Sequence, residues 1–182
     1  MAISQTIWLA SWPRSGNTYV RTILWQCFGL RSASIYTNDF GGNQKLEEYV
    51  GHVRNKESLF VKGQLPLVKT HGPQPDDSPA IYIVRNGKDA AISLWQYYKG
   101  EASLEQIIEG HLIFGTWTEH LQSWRPWERR NTLLLKYEDI LNDLPGTLNK
   151  ISGFLGVKIL NETVPPRDDI ANIDGRYVKK EG

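Results

Sequence analysis

The chain has 182 residues, the length of one domain, and a net charge of +1 with no block of like charges. This balance gives no indication of a nucleic-acid partner or of binding to an anionic membrane surface. A single cysteine, Cys27, excludes an intrachain disulfide framework, and no apolar run reaches the ~18 residues that span a bilayer. The first residues lack the basic and apolar regions of a signal peptide, so we expect a cytoplasmic protein with one domain over residues 1–182.

Strand and helix patterns alternate along the chain. Apolar segments predict strands over 6–10, 67–70, 80–85 and 132–136. Helical patterns occupy residues 18–28, 44–53, 88–98 and 139–155, with an interruption of the last one expected near Pro145. Apolar residues spaced by three and four predict one longer helix over 104–124. This alternation predicts an α/β fold in three layers, with a central, mostly parallel sheet and helices on both of its faces.

The stretch ASWPRSGNTYVR, Ala10 to Arg21, lies between the first strand and the first helix, where a phosphate-binding loop would lie. Compared with the nucleotide-binding pattern G-x-x-x-x-G-K-[ST], it has Gly16 and Thr18 in place but Asn17 instead of the lysine. Backbone N–H groups at the helix N-terminus can still hold an anion, and Arg14 can supply the missing charge. The stretch therefore predicts a phosphate site, with an ordinary strand–turn–helix corner as the alternative.

The stretch IVRNGKDAAIS, Ile83 to Ser93, places a cation at the end of the next strand. A magnesium-dependent nucleotide enzyme would need an acidic residue at such a position, whereas Arg85 repels a metal ion and attracts a phosphate. Since Ser93 lies in the helix that follows, both side chains can reach one anion at the carboxyl edge of the sheet. The alternative is a surface ion pair between Arg85 and Asp89.

The stretch LVKTHGP, Leu67 to Pro73, carries a candidate general base. His71 directly follows a short strand, Lys69 stands two residues earlier, and a histidine can accept a proton near neutral pH. The other three histidines lie in helical or polar contexts that favour capping or exposed roles. No HExxH or CxxC spacing occurs in the chain, so the sequence predicts no metal site.

Together these segments resemble the sulfotransferase family that uses 3′-phosphoadenosine 5′-phosphosulfate (PAPS). A fourth match, LLLKYEDILNDLPGTLNKISGFLG, Leu133 to Gly156, resembles the family's Tyr-Glu-Asp segment after a strand, and the four matches follow the family's order. The resemblance implies a P-loop-like fold and a reaction without a metal. In that reaction a sulfuryl group passes from PAPS to an acceptor hydroxyl or amine and leaves adenosine 3′,5′-bisphosphate (PAP).

The resemblance also implies roles for individual residues. His71 would act as the base, with Lys69 and Arg14 stabilising the charge that develops on the transferred group and the bridging oxygen. The loop would hold the 5′-phosphate, Arg85 and Ser93 the 3′-phosphate, and Tyr19 and Tyr137 the adenine. The donor-binding residues implied in this way are Arg14, Ser15, Gly16, Asn17, Thr18, Tyr19, Arg85, Ser93 and Tyr137, together with Lys179 and Lys180 in a C-terminal stretch similar to the family's Arg-Lys-Gly segment.

The sequence leaves two alternative functions open. A nucleotide or small-molecule kinase with a degenerate loop would depend on magnesium, and a non-catalytic relative would bind the bisphosphate without turnover. We expect a small-molecule or glycan acceptor, because Trp95, Tyr97 and Tyr98 could form walls for an apolar alcohol, a phenol or a sugar face. Packing of their helix onto the sheet would explain the same residues. The identity of the acceptor and the oligomeric state stay open.

Overall fold

The computed structural model describes residues 5–61, 63–164 and 166–177. Lys179 and Lys180, which the resemblance assigns to donor binding, lie outside the described residues. Within these ranges the chain forms five strands: β1 (Ile7–Ala10), β2 (Ser32–Ser34), β3 (Leu67–Thr70), β4 (Ala80–Val84) and β5 (Thr132–Lys136). The α-helices are α1 (Asn17–Phe28), α2 (Gln44–Val50), α3 (Gly87–Tyr98), α4 (Leu104–Ile108), α5 (Trp117–Trp124), α6 (Tyr137–Asn142), α7 (Leu144–Leu155) and α8 (Arg167–Ile173). None of the helices so described has the length and apolarity needed to cross a membrane.

The five strands form one parallel sheet in the order β2-β3-β1-β4-β5. Because every strand runs in the same direction, the loops that follow β1, β3 and β4 meet at one edge of the sheet. The predicted parallel sheet is therefore confirmed. No sequence pattern predicts β2, since its three residues, Ser32 to Ser34, are too few and too polar for a strand pattern.

Helices cover both faces of the sheet. Leu9, Ile81 and Ile83 point into the larger core cluster, which also contains residues of α1, α2, α7 and α8. The alternating residues Ala10 and Tyr82 point to the opposite face, where they pack with α5. This two-residue alternation is what a buried strand imposes on its side chains, and it confirms the three-layer arrangement.

The single helix predicted over 104–124 is wrong, because the chain breaks between α4 and α5. Gly110 and Gly115 adopt positive φ angles of 76° and 63°, a conformation that ends a helix and that glycine accepts without a steric penalty. Thr116 then starts α5 with a capping box, in which its hydroxyl accepts from the Glu119 N–H and the Glu119 carboxylate accepts from the Thr116 N–H. The helical segment predicted over 139–155, with an interruption near Pro145, is divided at Asp143, which caps the start of α7.

Candidate active site

A cavity of about 490 Å³ opens at the carboxyl edge of the sheet. The loops after β1, β3 and β4 and the first turns of α1 and α3 contribute to its wall. Most of the predicted site residues border it: Arg14, Gly16, Asn17, Thr18, Tyr19, Lys69, His71, Arg85, Ser93 and Tyr137. The sheet topology thus brings together four segments that are far apart in the sequence.

The loop between β1 and α1 turns sharply at two residues with positive φ, Arg14 at 64° and Gly16 at 101°. At Gly16 the backbone lies against the ring of Tyr137, and a Cβ atom added there would be 2.4 Å from Tyr137 Cδ2. Helix α1 starts directly afterwards, so its first N–H groups, which have no intrahelical acceptor, border the cavity. This helix N-terminus can hold an anion.

The side chain of Asn17 does not replace the charge of the missing lysine. Its Nδ2 atom donates to the carbonyl oxygen of Leu9 at 3.0 Å and to Ser11 Oγ at 3.3 Å, and the residue is 4% exposed. Asn17 therefore braces the loop against the end of β1. Ser15, which the resemblance also assigns to donor binding, is 1% exposed and does not border the cavity.

The positive charge of the loop comes from Arg14. Its Nε donates to Ser93 Oγ at 3.2 Å, and its guanidinium lies 5.1 Å from the ring centroid of Tyr97. Arg85 donates from Nη1 to the Arg14 carbonyl oxygen at 3.1 Å. Burial, opposed by Tyr97 and assisted by Arg85, lowers the pKa of Arg14, but a guanidinium stays protonated at neutral pH. Two cations and a serine hydroxyl thus converge on one part of the cavity.

Two guanidinium groups flank Tyr137 at the start of α6. Arg85 lies 4.7 Å and Arg167 lies 5.6 Å from its ring centroid, within the range of a cation–π contact. Arg167 borders the cavity although no motif in the sequence indicated it. It is the first residue of α8, more than ten residues beyond Gly156, where the fourth matching segment ends, and it precedes the C-terminal stretch.

The geometry around His71 fixes its tautomer. Its Nδ1 lies 2.8 Å from the carbonyl oxygen of Ser11, which can only accept, so Nδ1 carries the hydrogen and Nε2 carries a lone pair. Its backbone N–H donates to the hydroxyl of Tyr36 at 3.0 Å, and the two rings stack with centroids 5.9 Å apart. Burial and the neighbouring Lys69 hold the pKa of His71 well below its usual value, so the ring is neutral and can accept a proton.

Lys69 is paired with a carboxylate that sequence reasoning missed. Its ammonium group donates to Asp39, which lies in the loop after β2 and also borders the cavity. The segment that holds Asp39, YTNDFGG, has the composition of an ordinary polar loop, and nothing in the sequence pairs it with Lys69. Across the described ranges, no group of three or more His, Cys, Asp or Glu residues is arranged to hold a metal ion.

Comparison with known proteins assigns the chain to a family. The model of the sulfotransferase domain matches residues 4–170, so the chain belongs to the sulfotransferase domain family, as its motifs predicted. Sulfotransferase 1 family member D1 of Rattus norvegicus is 29% identical over 182 residues, covering 87% of this chain and 61% of the relative. Sulfotransferase 2A1 of the same species is 38% identical over 122 residues, covering 59% of this chain and 42% of the relative.

Solved structures with the same fold support the architecture. The mouse sulfotransferase SULT7A1 complexed with PAP has a TM-score of 0.64 and 22% identity, covering 95% of this chain and 63% of that one. A retinol dehydratase in complex with androsterone and the inactive cofactor PAP has a TM-score of 0.60, with 23% identity and coverage of 94% and 64%. The P-loop-like α/β fold is thereby confirmed. The chain spans about three fifths of the length of these proteins.

Proposed function

We propose that this chain transfers a sulfuryl group from PAPS to a hydroxyl or amine of a small acceptor and releases PAP. One observation carries the proposal: the neutral ring of His71 borders the same cavity as the N-terminus of α1 and the guanidinium groups of Arg14 and Arg85. A base and an anion site in one cavity are what group transfer from an anionic donor requires. The presence of PAP in both structural relatives supports the choice of donor.

The donor is proposed to lie along the loop after β1. The N–H groups at the start of α1, with Thr18, would hold the 5′-phosphosulfate, since a helix N-terminus favours anions. Arg85 and Ser93 would hold the 3′-phosphate, which distinguishes this donor from ATP. Tyr19 and Tyr137, which border the cavity beside the loop, would contact the adenine.

In the proposed reaction the acceptor oxygen or nitrogen attacks the sulfur atom in line with the bridging oxygen of the donor. Nε2 of His71 takes the acceptor proton as the new bond to sulfur forms. The bond from sulfur to the bridging oxygen breaks, and its electron pair stays on the 5′-phosphate of PAP. Arg14 and Lys69 stabilise this charge and that of the transferred group, so the protein's own cations would supply the stabilisation without a divalent metal.

The acceptor is proposed to enter beside two aromatic residues next to His71. The ring of Phe114 meets the rings of Tyr36 and His71 edge to face, with centroids 6.4 Å and 5.8 Å apart, and all three residues border the cavity. Walls of this kind fit the flat or apolar face of an alcohol, a phenol or a sugar. A panel of acceptors from these classes, assayed with PAPS in the presence of EDTA, would identify the preferred class.

Thermal stabilisation tests the donor independently of the acceptor. A ligand at 100 times its Kd stabilises the native state by about 2.7 kcal/mol, which is roughly 5–10 °C at this chain length. PAP should produce a shift of this order, and ATP with magnesium a much smaller one. Equal or greater stabilisation by magnesium-ATP would favour the kinase alternative. Stabilisation by PAP without sulfation of any acceptor would favour the non-catalytic relative.

A further inference from the structure

A buried charge cluster lies behind Lys69. We call Arg21, Asp39 and Lys69 the Asp39 cluster. Asp39 Oδ2 accepts from Arg21 Nη1 at 2.6 Å, and Asp39 Oδ1 accepts from the ammonium group of Lys69. The exposed fraction of the side chain is 0% for Arg21, 3% for Asp39 and 8% for Lys69. Because buried charges are costly unless they are paired, the cluster has to be satisfied as a unit.

Arg21 is held by three different parts of the fold. Its Nε donates to Ser32 Oγ in β2 at 2.8 Å, its Nη1 donates to Asp39, and its Nη2 lies 2.7 Å from His52 Nδ1. A guanidinium only donates, so His52 Nδ1 accepts and the ring is neutral. Burial, assisted by the charge of Arg21, lowers the pKa of His52 to about 4 and keeps it in this form near neutral pH. Arg21 therefore has a fixed orientation, and it fixes the carboxylate of Asp39.

Asp39 connects this buried anchor to the cavity. Asp39 and Lys69 border the cavity together with His71, whereas Arg21 does not. Oδ2 of Asp39 faces Arg21, and Oδ1 faces Lys69. The two cations also hold the pKa of Asp39 well below its usual range, although burial opposes them. Asp39 is thus unsuited to accept a proton from a substrate, and the cluster carries a net charge of +1 beside the proposed base.

We infer that Asp39, held in place by Arg21, is a positioning residue that fixes Lys69 as a charged ammonium group at the wall of the sulfuryl-transfer site. The function of Lys69 in this inference rests on the proposed sulfuryl transfer. The placement and charge of Lys69 do not, so they can be measured separately. Asp39 and Arg21 themselves touch neither the donor nor the acceptor in the reaction proposed above.

The charges around Lys69 predict that its pKa changes in opposite directions when the charge of Asp39 or that of Arg21 is removed. Burial lowers the pKa of Lys69, Asp39 opposes this, and Arg21 and Arg14 add to the lowering. Two further described groups beside Lys69 are neutral: the ring of Tyr36 lies 5.6 Å from its Nζ, and the ring of His71 is uncharged. Removing the charge of Asp39 should therefore lower the pKa of Lys69 further, while removing the charge of Arg21 should raise it.

The direct test follows the Lys69 side chain by NMR in the full-length protein. The 13Cε signal of Lys69, assigned by its loss in Lys69→Met, is titrated in the wild type, in Asp39→Asn and in Arg21→Met. An opposite charge within a few ångströms shifts a pKa by about 1–3 units, so we expect a downward shift of that order in Asp39→Asn and an upward shift in Arg21→Met. Shifts in the same direction, or no shifts, would overturn the inference.

Asp39→Asn leaves two buried cations without a carboxylate and could prevent folding. Arg21→Met then carries the test alone, because it keeps one cation and one carboxylate paired. An unchanged or lowered pKa of Lys69 in that variant would overturn the inference. Asp169→Asn is the matched control: Asp169 accepts from the Tyr49 hydroxyl at 3.2 Å and does not border the cavity, so its loss should leave Lys69 unchanged.

Kinetics separates a positioning role from a purely structural one. In Asp39→Asn we expect kcat to fall roughly 10- to 100-fold, below the 10²–10³ lost with a stabilising donor itself, and the alkaline limb of the kcat profile to move to lower pH. Asp169→Asn should change neither. An unmoved alkaline limb would contradict the inference. A wild-type protein without sulfation activity would refute the proposed function but leave the NMR shifts standing, so the two failures are distinguishable.

Discussion

Nδ1 of His71 lies 2.8 Å from the carbonyl oxygen of Ser11, which joins the end of β3 to the loop after β1. Since the carbonyl can only accept, this contact sets the tautomer and leaves Nε2 as the acceptor. The same loop continues through Arg14 and Gly16 into α1, where an anion can bind. The proposed base is therefore oriented by the backbone that holds the proposed donor, and their relative positions do not depend on an acceptor.

Replacing His71 should affect turnover far more than donor binding. A general base contributes about 10²–10⁴-fold, so His71→Ala should lower kcat by that range while PAP affinity, measured by calorimetry, stays close to that of the wild type. His111→Ala is the control, because His111 is exposed and does not border the cavity. Wild-type turnover in His71→Ala would show that the acceptor proton goes elsewhere.

The pH dependence of the free protein should reflect the low pKa of His71. Burial and Lys69 lower that pKa below the ordinary value of 6.5, so the ring remains a base where a free histidine would be protonated. We expect the acid limb of kcat/KM to lie below pH 6.5, and the limb to disappear in His71→Ala. The same lowered pKa means that the fold loses stability as the pH falls below 6.5, because the unfolded chain then binds a proton at His71 more readily than the folded protein does. An acid limb centred at or above pH 6.5 would contradict this assignment.

The motifs predicted much of the site because of where they stand in a parallel sheet. Arg14, Lys69, His71 and Arg85 each lie at or just beyond the end of an apolar strand, and parallel strands bring such positions to one edge. Their placement at this edge follows from the direction of the strands and does not depend on the conformation of the loops. The family resemblance then added the roles of the residues, which the order of strands alone does not indicate.

The remaining residues depend on contacts that no local pattern encodes. Asp39 meets Lys69 only because β2 pairs with β3, and β2 is too short and polar to be recognised. In the sequence, Arg21 is one more residue of a helical pattern, and only the structure shows that it pairs with Asp39 in the loop after β2. The Nδ2 atom of Asn17 donates to the carbonyl oxygen of Leu9, a contact that the motif does not indicate. Each of these outcomes is decided by tertiary packing.

Gly16→Ala should be destabilising for two separable reasons. At φ 101° an alanine pays about 1–2 kcal/mol for the left-handed conformation, and its Cβ would lie 2.4 Å from the Tyr137 ring. Gly156→Ala is the control: it also has a positive φ, of 66°, but nothing lies within 4 Å of its added Cβ. Urea unfolding should show a larger loss for Gly16→Ala, and PAP titration should show weaker binding only for that variant. Equal losses of stability in the two variants would mean that the Tyr137 ring moves aside at no cost in the free energy of unfolding.

Arg167 should contribute to donor binding although no motif contains it. It borders the cavity beside Tyr137, and a charge-assisted hydrogen bond to a phosphate contributes about 1.5–3 kcal/mol. Arg167→Ala should therefore weaken PAP binding about tenfold or more, with a smaller loss at high salt. Arg130→Ala, which removes an exposed arginine just before β5 at the opposite edge of the sheet, should leave PAP affinity unchanged. Equal affinities for the two variants would remove Arg167 from the donor site.

The C-terminal lysines provide a final test, because Tyr177 brings the chain to the rim of the cavity. The Tyr177 hydroxyl donates to the carbonyl oxygen of Asp39 at 3.0 Å, its ring lies 5.1 Å from that of Phe40, and it borders the cavity. Lys179 and Lys180 follow by two and three residues, a span of at most about 7–11 Å.

If these lysines contact the 3′-phosphate, the double variant Lys179→Ala/Lys180→Ala should bind PAP several-fold more weakly at low salt. The difference from wild type should shrink as added salt screens exposed charges. Lys150→Ala/Lys158→Ala removes the same charge from α7 and the segment after it, away from the cavity, and corrects for the change in net charge. If both double variants lose the same affinity, the effect is one of overall charge, and Arg85 and Ser93 remain as the proposed 3′-phosphate site.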